Sequence, residues 1–219
     1  EMGMPENCVQ LLGSGSRDEV KQLVNLIDYV DVVIPRGGRS LVDFIKREAK
    51  VPVFAHLEGI VHVYVDKKAD LDVAKKVVQN SKSRRPGICG AVETLLIDKE
   101  FYNNHGNELI DFLIAKGIEI RADKALFNNK SIVSVSDSDY GFEFLENILA
   151  VKVVKDIDAA ISHIRDFGSN HTDCILTKDK SASDLFFKKL DSSILLCNAS
   201  TQFADGGEFG FGAEIGIST

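Results

Sequence analysis

The 219-residue chain has no tryptophan, no long apolar run, no closely spaced cysteines and no surplus of positive charge. Each absence excludes something. A membrane helix needs roughly 18 consecutive apolar residues, and no such stretch occurs. The opening Glu1-Met2-Gly3-Met4-Pro5 has no basic patch followed by an apolar segment, so no secretory signal is expected. Lys and Arg number 26 against 33 Asp and Glu, a net charge of −7 that argues against nonspecific nucleic-acid binding. Cys8, Cys89, Cys174 and Cys197 lie far apart, without metal-ligand spacing, and read as reduced thiols of a cytoplasmic protein. No histidine–carboxylate pair has convincing metal spacing either, so no metal is expected. Low-complexity segments and fixed-period repeats are missing. Without an indole, ligand binding has to be followed by signals other than tryptophan emission.

What is present is the balance of a soluble globular protein, 44% hydrophobic and 27% charged. Short β-rich runs alternate with amphipathic stretches, which implies an α/β fold with parallel sheets. Val9–Leu12, Asp31–Ile34 and Val51–Phe54 read as strands. Between them, Ser16 and Glu19 form a capping-box pair ahead of Val20, Leu23, Val24 and Ile27, and Ser40 can cap a helix with the stripe Leu41, Phe44, Ile45 and Ala49. The rhythm repeats with strands at 61–65, 94–97, 118–120, 148–154, 174–176 and 194–197. Helices are expected after Asp70, over 107–116 with Gly117 as the stop, after Asp156, and over 181–190. Residues 121–142 give no clear signal. Residues 203–216 hold five glycines in fourteen positions, which suits a loop that lets backbone approach another surface.

Few residues carry candidate chemistry. Cys89 sits in Arg84-Arg85-Pro86-Gly87-Ile88-Cys89-Gly90, a loop between a helix and a strand. Nearby cations and loop amides favour a thiolate, which makes it a candidate nucleophile; a small buried residue beside surface charges is the other reading of the local context. Cys8, Cys174 and Cys197, within or beside apolar runs, read as core residues. Pro35-Arg36-Gly37-Gly38 can present backbone N–H groups to an anion or a pyrophosphate, but its spacing is not the full dinucleotide fingerprint, and by itself it reads better as a strand-to-helix turn needing glycine dihedrals. His62, inside an apolar strand, reads as a satisfied core histidine. His56 and Glu58 flank Gly59 at a strand end, where parallel sheets place ligand sites. His105, His163 and His171 read as surface residues.

Taken in order, several segments resemble the gamma-glutamyl phosphate reductases, a branch of the aldehyde dehydrogenase superfamily. They are Asp31-Val-Val-Ile-Pro-Arg-Gly-Gly38, His56-Leu-Glu-Gly59 with His62-Val-Tyr-Val-Asp66, Asn80-Ser-Lys-Ser-Arg-Arg-Pro-Gly-Ile-Cys89 and Glu93-Thr-Leu-Leu96. Ile148-Leu-Ala-Val-Lys-Val-Val154, Asn198-Ala-Ser-Thr201, Phe203-Ala-Asp-Gly-Gly207 and Phe209–Thr219 continue the series to the end.

The resemblance implies aldehyde dehydrogenase-like parallel sheets: the C-terminal half of a Rossmann-like cofactor-binding domain over 1–58, a catalytic domain over 59–200, and a glycine-rich active-site segment over 201–219. It implies an NADPH-dependent oxidoreductase of proline biosynthesis that reduces L-glutamyl 5-phosphate to glutamate 5-semialdehyde. Cys89 falls on the family's catalytic cysteine, and Arg36, Gly37 and Gly38 fall where backbone meets the cofactor. Arg84 and Arg85, by charge alone, could attract the substrate phosphate. No carboxylate base is required, because hydride rather than water ends the cycle, so Glu58 is not assigned as one.

Departures accompany the resemblance. The family's chain is roughly twice as long. Its front half carries the first strands of the nucleotide fold and an asparagine that stabilises the oxyanion, a kind of donor worth about 10²–10³ in rate. Gly90 stands where asparagine is usual, and Val61 where cysteine is. A parallel sheet cut in half leaves an open edge. A homo-oligomer or a companion chain supplying the front half is therefore expected. A non-catalytic remnant acting as a binding or assembly module is the alternative, and an unrelated nucleotide-binding regulator is the third.

Overall fold

The computed structural model describes residues 3, 5–13, 15–55 and 58–211. They form two compact units that divide between Leu57 and Glu58.

In the first unit, a 3₁₀ turn spans Glu6–Cys8 and helices α1 and α2 span Arg17–Leu23 and Arg39–Glu48. Ser16 Oγ accepts the Glu19 amide at 3.2 Å and starts α1. Val24, Ile45 and Val51 form a small core, with Val20, Leu41, Phe44 and Ala49 packed on it. Lys21 and Glu48 bridge the two helices at 2.7 Å.

Several expectations fail in this unit. Val9–Leu12 forms no strand: Val9 is 85% and Leu11 98% exposed. Asp31–Ile34 and Val51–Phe54 shrink to a single parallel bridge, Val33 to Val53. An apolar run becomes a strand only where another strand takes up its hydrogen bonds. Ile27 is 63% exposed, because α1 ends at Leu23 before the helical spacing reaches it. Ser40 is inside α2, whose N-cap is Gly38.

The second unit is a seven-stranded sheet: β1 (Val61–Val65), β2 (Val92–Asp98), β3 (Glu119–Ala122), β4 (Val133–Ser134), β5 (Ile148–Val154), β6 (Thr172–Leu176) and β7 (Ile194–Cys197). The order is β4-β3-β5-β2-β1-β6-β7, and every pairing is parallel. Parallel strands need long crossover connections, and the helices that supply most of them lie on both faces. Alternation along the strands sorts the side chains. Val63, Val65, Leu95, Ile97 and Leu176 share one core with Ala74 and Val78 of α3 (Leu71–Ser83) and Leu109 and Leu113 of α5 (Asn107–Ala115). Tyr64, Leu96 and Ile175 face the other way, onto Ala160, Ile161 and Ile164 of α6 (Ile157–Phe167) and Phe186 of α7 (Lys180–Lys189). β1 and β2 are buried along their whole length.

Aspartates start the helices. Asp70, Asp156 and Asp179 each accept first-turn amides. Gly117, at φ +80°, follows α5 as expected. A helical stretch not foreseen, α4 (Lys99–Phe101) and a π turn over Tyr102–Gly106, runs directly into α5. Its Asn-Asn-His-Gly core is poor helix former, and packing rather than propensity holds it. Residues 121–142 resolve into the end of β3, the two-residue β4 and a 3₁₀ turn over Asp137–Gly141. Among the described residues no helix is long and apolar enough to cross a membrane.

Candidate active site

Cys89 occupies the connection between α3 and β2, at the edge of the sheet where β1 and β2 begin. It is half-buried and in no disulfide, so it is not sealed in the core. The Ala91 amide closes a turn onto the Ile88 carbonyl at 2.9 Å. On one side Gly59 lies against Cys89. A Cβ built at Gly59 would stand 2.3 Å from the Cys89 carbonyl oxygen and 2.8 Å from its Cα. On another side, a Cβ at Gly90 would meet the Thr201 carbonyl at 3.2 Å. Glycine at position 59 is thus a condition of this packing, whereas at Gly90 a side chain would need the Thr201 carbonyl to give by only a few tenths of an ångström.

The Ser200–Phe203 segment anchors the loop. Gln202 Nε2 donates to the carbonyls of Ser81 (2.8 Å) and Arg85 (3.3 Å), and the Thr201 amide donates to Ser81 Oγ at 3.0 Å. Gly59 is also pinned. Its amide donates to Glu143 Oε1 at 3.0 Å, and the Ile60 amide donates to Ser169 Oγ at 2.9 Å. The backbone of the Cys89 turn is therefore held by Gly59 and by the Ser200–Phe203 segment, and Gly59 and Ile60 in turn by Glu143 and Ser169.

Beside this loop Lys82 Nζ and Glu93 Oε2 meet at 2.6 Å with almost no exposure. Burial pushes the Glu93 carboxyl up to about 7 and the Lys82 amine down, each partly offset by the other's charge. Sequence reasoning did not single out this pair, nor Gly59. One signal was available: Glu93 interrupts the run Val92-Glu-Thr-Leu-Leu-Ile97, and a charge inside a buried strand needs a partner.

The other site candidates fall as follows. Arg84 is exposed, pairs with Glu208 and lies 5.8 Å from the Phe203 ring centroid. It borders a pocket of about 350 Å³ lined also by Lys76, Gln79, Asn80 and Ser83. Arg85 is exposed, and its carbonyl accepts the Gln202 bond. In the first unit Arg36 is exposed, and Gly37 and Gly38 lead into α2. Gly37 has φ +152°, no side chain caps α2, and space is open where a Gly38 Cβ would stand. That backbone can receive a ligand at close range. His56 and residues 212–219 lie outside the described residues.

The histidines and cysteines need correction. His163 and His171 are buried, because α6 turns His163 onto Tyr140 and Phe167 and His171 sits at the entrance of β6. His62 is buried as expected but is not satisfied. Neither ring nitrogen makes an aligned hydrogen bond, although Asp173 Oδ1 is 3.3 Å from Nδ1. Glu58 and Gly59 lead into β1 instead of ending a strand. Cys8 is exposed, since the strand it was to adjoin does not form. Cys174 is buried, and burial pushes its thiol up to about 12; Cys197 is half-buried and raised in the same direction. Among the described residues no group of histidines, cysteines and carboxylates could hold a metal ion.

No protein-family model matches the chain. Individual proteins do. Gamma-glutamyl phosphate reductase of Rhodopseudomonas palustris (strain BisB5) is 52% identical over 221 residues, covering 100% of this chain and 51% of that protein. The enzyme of the same name from Mesorhizobium japonicum is 50% identical, over 99% of this chain and 51% of its own length. The crystal structure of gamma-glutamyl phosphate reductase from Thermotoga maritima superposes with a TM-score of 0.91 at 38% identity, over 99% of this chain and 53% of that one. An acetylating aldehyde dehydrogenase from Geobacillus thermoglucosidasius, at 19% identity and TM-score 0.72, shares the fold. The chain spans about half the length of the curated relatives it matches.

Proposed function

We propose, from the homology of this chain to the gamma-glutamyl phosphate reductases, that it carries the nucleophile of an NADPH-dependent reduction of L-glutamyl 5-phosphate. The observation that supports this most is Cys89. It falls within the region of about 50% identity, in a pinned turn at the sheet edge, and it retains exposure.

The chemistry follows from the residue types. The Cys89 thiolate attacks the acyl carbon and the C–O bond to phosphate breaks, giving a thioester and inorganic phosphate. Phosphate is a good leaving group, so no side chain need protonate it. Arg84 and Arg85 flank the loop and would draw the phosphoryl group towards it. Arg36, Gly37 and Gly38 would hold the cofactor by their backbone, and the open space at Gly38 fits that role. NADPH, when bound, supplies the hydride that reduces the thioester carbon. The thiohemiacetal on Cys89 then expels the thiolate and releases the aldehyde. A cytoplasmic setting and a role in proline biosynthesis accompany this reading.

The test runs the reaction backwards, with glutamate semialdehyde, phosphate and NADP⁺, and follows NADPH emission. The chain is combined with the remaining half of a relative's sequence, supplied as a companion chain. Turnover that disappears in Cys89→Ala is the expected result. If both halves bind but no NADPH forms, the catalytic reading fails and a binding or assembly module remains.

A further inference from the structure

We propose that the buried Lys82–Glu93 pair is a positioning device for the Cys89 loop, holding its two stems together so that the sulfur is presented at the sheet edge. The inference rests on the reading of Cys89 as nucleophile and goes beyond it.

The pair sits at the base of the loop. Lys82 is in the last turn of α3 and Glu93 is the second residue of β2, 11 positions apart, so their contact closes the base of the loop that bears Cys89. The Lys82 ammonium lies 6.0 Å from the Phe144 ring centroid. The adjacent Glu143 accepts the Gly59 amide, and Gly59 is the residue pressed against Cys89. A short path thus runs from the pair, through the Phe144 ring, its neighbour Glu143 and Gly59, to the backbone of the nucleophile. Desolvating both charges costs about what their attraction returns, and an apolar pair of similar volume often gives equal or greater stability. Stability alone is therefore a weak account of two charges with almost no exposure. A short, directional contact that fixes the stems in one register is a better one.

The test measures iodoacetamide labelling of the intact chain, cysteine by cysteine. Exposed Cys8 serves as the reference thiol and buried Cys174 reports folding. In the native chain Cys89 should label faster than Cys8; a ratio near one would sink the nucleophile reading itself, whatever the pair does. In the double variant Lys82→Met with Glu93→Leu, Cys174 should stay protected while the Cys89-to-Cys8 ratio falls by about tenfold, as the loop amides and arginines no longer favour the thiolate. Glu93→Gln keeps the shape and one acceptor, and should give a smaller fall. The sign matters: an uncompensated Lys82 ammonium would favour the thiolate, so a purely electrostatic influence predicts faster labelling in Glu93→Gln. An unchanged or raised ratio in either folded variant overturns the positioning role and leaves the nucleophile reading intact. Loss of Cys174 protection in both variants would also overturn it, by making the pair a stability element.

Discussion

Gly59→Ala is the sharpest perturbation the site offers. The new methyl group would stand 2.3 Å from the Cys89 carbonyl oxygen and within 3 Å of two further backbone atoms, whereas ordinary contact begins at 3.4 Å. About 1 Å of separation has to be found. No flexible side-chain tip can yield it, because all three atoms are backbone. Gly59 cannot retreat freely either, since its amide is held by Glu143 and the next one by Ser169. The displacement therefore passes to the Cys89 turn, which Ser200–Phe203 holds from the other side. Overpacking of this kind costs about 1–3 kcal/mol of stability. A shift of about 1 Å at a reacting atom can cost about 10²-fold in rate. The NADPH-forming reverse reaction of the completed enzyme and the urea midpoint measure the two effects, and labelling of Cys89 relative to Cys8 shows whether the thiol itself has changed. Gly90→Ala, with its nearest contact at 3.2 Å, should give a smaller effect. Gly13→Ala, with nothing within 4 Å, should give none. A Gly59→Ala chain with native stability and native Cys89 reactivity would refute the argument.

Further outcomes are expected. Burial pushes His163 down to about 3, with His62 and Lys152 acting in the same direction. The unfolded chain then binds the extra proton below about pH 6.5, so stability is present above that value and falls as pH drops towards 3, by at most about 1.4 kcal/mol per unit. Urea unfolding at pH 7 and pH 5 should show a steeper loss for the native chain than for His163→Leu; equal losses would remove the assignment. Asp156→Ala deletes the cap that accepts the Ala159 amide at 2.9 Å and should cost about 1 kcal/mol by denaturant titration. Tyr64→Phe removes the hydroxyl that donates to Asp98 Oδ2 at 3.2 Å in a buried setting. It should cost about 1.5–3 kcal/mol, and a neutral result would mean the carboxylate finds water instead.

Much of the second unit was legible because its strands bury both faces and so read as unbroken apolar runs between capped helices. Ile148–Val154 and Ile194–Cys197 match their expected spans, and Asp70 and Asp156 cap where their spacing said they would. The weak points have physical reasons. β4 is two exposed residues and leaves no periodic trace. The helical stretch over 99–106 runs through Asn103-Asn104-His105-Gly106, residues that disfavour helix. The apolar runs of the first unit lack the neighbouring strands that would make them β-structure among the described residues. At the site, Cys89 was visible through its proline, glycines and arginines. Gly59 and Lys82 were not, since each matters only through what it touches, and Glu93 showed only as a charge inside an apolar run, with nothing to name its partner.

The order of residues along the chain set the alternation of strand and helix, the caps, and the presence of one cysteine in a turn between them, since these depend on neighbours a few positions away. Strand order, the burial of Lys82 against Glu93, and the pressing of Gly59 onto the Cys89 backbone were decided in space. They join positions 11 to more than 80 residues apart, and no local pattern encodes which distant group will arrive.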